Sequence, residues 1–146
     1  MFFRKEIKMK NYIITISGVI FGMVASFLGG WTYAVKTLLT FMTIDYVTGI
    51  MVALIFKKST KTKSGTLKSI AGFKGICKKV CILFAVGIAV KLDALLNINY
   101  VHNAVIIAYC VNEMISITEN LGLMGIYIPK PLKNAIDILV KKEEEK

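Results

Sequence analysis

The chain has 146 residues, 55% hydrophobic and 19% charged, with a mean hydropathy of +0.64. Soluble domains carry about 25% charge, whereas here the apolar residues form long blocks with the charges gathered between them. This pattern excludes a disordered tail and a secreted disulfide scaffold, argues against a soluble enzyme, and points to a small single-domain integral membrane protein.

A helix needs about 20 mostly apolar residues to cross a hydrocarbon core of about 30 Å. Residues 12–28 are uncharged, follow Lys5, Lys8 and Lys10, and precede no clear A-x-A cleavage site. They read as a retained signal-anchor. Along them Gly18, Gly22, Ser26 and Gly30 recur every fourth position. Small residues at this spacing let helix backbones approach closely inside lipid. Gly49 and Ala53 repeat the pattern once in the second span. Whether the contact face serves one subunit or several stays open at this point.

The second span, residues 38–56, is broken by a single acid, Asp45, and stops at Lys57 and Lys58. A charge at that depth costs roughly 2.5–3.5 kcal/mol unless paired, hydrated or neutralised, so an intramembrane acid is by default functional. Thr48 lies one turn away. The connector 57–79 then carries eight lysines and no acid: Lys57, Lys58, Lys61, Lys63, Lys68, Lys74, Lys78 and Lys79. Leu67, Ile70, Phe73, Ile76 and Val80 recur at helical spacing, predicting a short amphipathic helix at the inner interface. Its lysines fit anionic lipid head groups better than nucleic acid. The alternative is a basic loop that only enforces topology.

A third span is expected over 80–100, with Lys91 and Asp93 near its end, and a fourth over 101–120. Four spans are therefore expected, with three as the fallback. The lysine-rich arm and connector place both termini in the cytoplasm by the positive-inside rule. Pro129 and Pro131 suit the first turn of a final helix. Leu132, Ile136, Leu139 and Val140 mark one face of this amphipathic tail (129–146), which ends in a charge run expected to fray.

At 100° per residue, His102, Tyr109, Glu113, Ser116 and Asn120 share one line of the fourth span, bordered by Asn112 and Glu119. Val105, Ile107, Val111, Met114 and Ile115 are expected to face away. A strip this polar cannot face lipid. It either closes a compact bundle through hydrogen bonds or lines an aqueous path.

No catalytic constellation emerges. Cys77, Cys81 and Cys110 have no partnering ligands and read as apolar packing, and no metal or cofactor is expected. Asp45 and Asp93 fall on spans other than the one that holds Glu113 and Glu119, so no acid–base pair can be assigned. The expectation is a protein that is not an enzyme.

Four blocks then resemble a known family in order. Asp45-Tyr46-Val47-Thr48-Gly49 resembles the D-x-x-x-G signature of the toxin-secretion/phage-lysis holins. The block from Gly72 to Lys79 resembles their basic segment leading into the next span. Asn112-Glu113-Met114-Ile115-Ser116-Ile117-Thr118-Glu119-Asn120 is similar to their N-E-x-x-S-I-x-E-N block, and Gly125 to Pro129 to the following G-x-x-x-P. The resemblance implies a protein of the bacterial cytoplasmic membrane that assembles with itself into pores. Such lesions release an endolysin in phage lysis, or a large toxin. The competing readings are a small ion or solute channel or transporter, and a membrane scaffold without pore activity.

Overall fold

The computed structural model describes residues 2–66 and 68–144, with side chains from Lys8 onward except 139, 140 and 142–144. Leu67 of the amphipathic series, the side chains of Leu139 and Val140, and the last two residues of the charge run lie outside the described residues. The elements are α1 (Phe2–Phe27), α2 (Tyr33–Met51), a π-helical turn (Val52–Phe56) continuing α2, α3 (Ser69–Leu96), α4 (Val101–Leu123) and α5 (Lys130–Glu144). The architecture is all-helical, with no strand among the described residues.

Among the described residues, three helical segments are long and apolar enough to cross a membrane: Lys8–Phe27, Tyr33–Phe56 and Val101–Leu123. The longest helix, α3, is not among them, because Lys74, Lys78 and Lys79 early in it and Lys91 and Asp93 late in it interrupt its apolar run.

Helix ends differ from the hydropathic boundaries, and caps explain why. Thr32 accepts a hydrogen bond from the Val35 amide (3.2 Å), so α2 starts at Tyr33 rather than at residue 38. No proline interrupts residues 69–96, so the expected amphipathic helix and third span are one continuous rod. That rod ends at Asn97, in the left-handed conformation (φ 55°), and residues 97–100 form the turn into α4 rather than more of the third span. Asp93 fixes this turn, accepting from the amides of Val101 and His102 (3.0 Å each) at the start of α4. Pro131 falls in the first turn of α5, as expected. The terminal charge run is helical as far as Glu144, where fraying was expected.

The core lies among α2, α3 and α4, with α4 in contact with both of the others. Leu38 and Met42 of α2, Val86 of α3 and Ile106 of α4 are buried together with Leu28 and Val35. α5 packs on α4, and Ile136 is buried. The contacts of α1 gather at its C-terminal end. There Phe27 lies against Gly87 of α3, so closely that a Cβ at Gly87 would overlap the ring. Phe27 also meets Phe84 edge-on, with centroids 6.4 Å apart. The rest of α1 exposes Ile13, Ile20 and Met23. An apolar surface of this extent suits lipid and not water.

Candidate functional site: a shared lysine between three helices

The three central helices are apolar, yet each carries a charge into the same place. Asp45 on α2 and Glu113 on α4 are 6% and 4% exposed, which would be prohibitive for lone carboxylates. Each stands twelve residues from the start of its helix, hence about 18 Å from the α2 and α4 N-termini at 1.5 Å per residue. Both are met by one cation. The Lys79 ammonium on α3 donates to Asp45 Oδ2 at 2.9 Å and to Glu113 Oε2 at 2.5 Å. One lysine thereby ties three helices together.

The second oxygen of Asp45 is also satisfied. Asn120, one face along α4 and buried, donates from Nδ2 to Asp45 Oδ1 (3.2 Å) and to Thr48 Oγ1 (3.0 Å). The Thr48 hydroxyl in turn donates to the Ile44 carbonyl, one turn back in α2 (2.9 Å). Gly49, four residues after Asp45, lies beside this contact: its Cβ position is 3.7 Å from Asn120 Nδ2, ordinary packing distance. On α3, Gly72 and Gly75 lie against the Tyr46 side chain, their Cβ positions 3.8 and 3.6 Å from it. The site therefore draws one residue or more from the D-x-x-x-G block, the basic block and the N-E-x-x-S-I-x-E-N block.

The structure sorts the remaining candidates. Ser116, Asn112 and Glu119 line a cleft beside the shared lysine, the last two at its exposed rim. Tyr109 instead packs against the apolar core, and His102 sits at the far end of α4 near Gly29. Val111, expected on the face turned away, is buried within the bundle, because α4 has neighbours on more than one side. Gly18 and Gly22 have nothing within 4 Å of their Cβ positions, so their line is not used inside the subunit.

Lys79 is the residue that sequence reasoning misplaced. It was expected with Lys57, Lys58, Lys61, Lys63, Lys68, Lys74 and Lys78 at the head groups, but its ammonium lies inside the bundle. A lysine directly ahead of an uninterrupted apolar run, when two other spans each hold a carboxylate, was the available signal.

A model of the bacteriophage holin family matches residues 22–141. An uncharacterized protein of Listeria innocua is 40% identical over 139 residues, covering 92% of this chain and 94% of its own length. An uncharacterized 14.9 kDa protein of Clostridium perfringens is 39% identical over 117 residues, covering 79% of this chain and 83% of that protein. A protein of Bacillus phage phi105 named "probable holin" is 29% identical over 104 residues, covering 70% of this chain and 71% of its own. No solved structure matches the chain. Family and apolar helices together describe a membrane protein with a holin-like role, a role that suggests no enzymatic activity of its own. The chain belongs to the bacteriophage holin family.

Proposed function

We propose that this protein crosses the bacterial cytoplasmic membrane four times, with both termini inside, and assembles with copies of itself into lesions that release an endolysin or a large toxin. The observation that carries the reading is the lysine shared by Asp45 and Glu113. With Lys79 paired in this way, α3 can serve as the fourth span: Lys74 and Lys78 ahead of it stay at the inner head groups, and Lys91 can snorkel to the outer ones. The same contacts hold the polar face of α4 closed within one subunit. In an open lesion that face must exchange its partners for water, so the triad acts as a latch on the resting form.

The test is release of a folded protein. The chain is expressed in a bacterium carrying a cytoplasmic reporter enzyme, with the reporter measured outside and ion leakage recorded in parallel. Exit of active reporter is the expected outcome. Ion leakage without reporter would indicate a small channel, and neither would indicate a scaffold. Reporters after Lys146 or near Ser64 should be cytoplasmic and one near Asn97 external. An external C-terminus would overturn the four-pass arrangement.

A further inference from the structure

The shared lysine is the floor of a cleft of about 800 Å³ between α2, α3, α4 and the connector. The connector shapes its mouth. Lys57 turns the chain in the left-handed region, and the Ser59 amide then donates to the Gly65 carbonyl (3.0 Å). Gly65, at φ +68°, lies so close to the Lys57 carbonyl that a side chain there would collide with it. The segment is thereby folded back as a rim and not left as an extended link.

Charge around this cleft is unbalanced. Six lysines line it, Lys61, Lys63, Lys68, Lys74, Lys78 and Lys79, against Asp45, Glu113 and Glu119. Asp45 and Glu113 are already engaged by Lys79, which leaves five lysines and Glu119 as the other charged groups of the lining. Among the described residues none of those five forms an ion pair. Lys61 reaches inward, its ammonium 3.8 Å from the Cβ position of Gly49. Lys68 is the N-cap residue of the 28-residue α3 and makes no side-chain cap hydrogen bond. An uncapped N-terminus of a long helix presents free amides and the positive end of the helix dipole. Cations brought to one cleft from a loop and from a helix start match the oxygens of a phosphate.

The walls identify what the phosphate is attached to. Ala53 and Ile82 lie deeper in the cleft, and Ile70 and Phe73 are exposed on the same end of α3. A volume of this size, within the range of about 300–1,000 Å³ typical of ligand sites, exceeds what one phosphate fills. From this we infer that the cleft is a discrete phosphate-binding site for the head group of an anionic phospholipid from the inner leaflet. The inference uses the membrane placement proposed above but not the lesion, and its readout is independent of leakage.

The test is native mass spectrometry of the full chain released from mixed phosphatidylethanolamine–phosphatidylglycerol vesicles. The expected result is saturable retention of a single phosphatidylglycerol. Lys61→Gln with Lys74→Gln should lower that retention by about tenfold or more, since each ammonium supplies a charge-assisted hydrogen bond. Lys130→Gln with Lys133→Gln, the same charge change on α5, should leave it intact. Inorganic phosphate bound through Lys61 and Lys74, with no lipid retained, would keep the phosphate site and assign it to a soluble source. Equal losses in both double variants, or retention that never saturates, would overturn the site, leaving the lysines as a diffuse charge on the surface.

Discussion

The helix α1 and the three-helix unit α2–α4 solve opposite problems. In α2–α4 the buried polar groups at mid-depth, Asp45, Glu113 and Asn120, have partners on another helix of the same chain: Lys79 for Asp45 and Glu113, and Asn120 for Asp45 and Thr48. In α1, Thr15 and Ser17 bond only to carbonyls of their own helix, and the small residues Gly18 and Gly22 face open space. The central unit is thus closed upon itself by electrostatics, while α1 offers an unspent packing surface. If the proposed assembly is correct, the two regions divide the labour: one sets when the subunit opens, the other how subunits meet.

The sharpest way to break this division is to remove the shared cation. Lys79→Met leaves two carboxylates buried without a counter-charge, a change expected to cost about 3–5 kcal/mol. The variant should lose its thermal transition in detergent or fail to accumulate in membranes. Adding Asp45→Asn and Glu113→Gln removes the charges that were stranded, and the triple variant should recover folding. If the single variant were as stable as the parent, the triad would not hold the bundle.

A smaller effect is expected at Asn120. Asn120→Leu keeps the volume but takes from Asp45 one of its two side-chain donors, at a cost of about 1–3 kcal/mol. Asn120→Asp should be worse, because it sets a second carboxylate beside Asp45. If the Leu variant proved as stable as the parent, Lys79 alone would suffice to hold Asp45. At the junction of the two regions, Gly87→Ala forces the Phe27 ring aside, with an overpacking cost of about 1–3 kcal/mol. Phe27→Leu in the same chain should restore most of the loss. If Gly87→Ala were neutral in denaturation, the end of α1 would be free to move without consequence.

How much of this was legible beforehand depends on whether a feature is local. The all-helical class and the apolar segments follow from periodicity, which acts within a few turns. Asp45, Glu113 and Asn120 could be marked as costly residues for the same reason. The part of Lys79 in joining them could not, because Asp45 and Lys79 are 34 positions apart, as are Lys79 and Glu113, and only the packing of α2, α3 and α4 brings them into register. The continuity of α3 was hidden by composition. A hydropathy break at Lys79 suggests a boundary, but a helix does not end where hydrophobicity changes unless a cap or proline ends it.

The last prediction concerns the region that the folded subunit leaves unused. At Gly22 a Cβ would meet nothing within 4 Å, so Gly22→Ile should leave the unfolding of the isolated subunit unchanged. Replacing glycine by a better helix former could even raise it by a few tenths of a kcal/mol. Between copies the expectation reverses. A branched side chain on the Gly18/Gly22/Ser26 line would separate two α1 backbones that need close approach, and packing is the main force available between helices in lipid. Crosslinking in membranes should then show fewer high-order species, while the triad variants that still fold crosslink as the parent does. Unchanged crosslinking by Gly22→Ile would remove this line from the assembly contact. In that case α1 would serve as an anchor facing lipid, and the surface that joins the subunits would have to lie on the outer faces of α2 and α3.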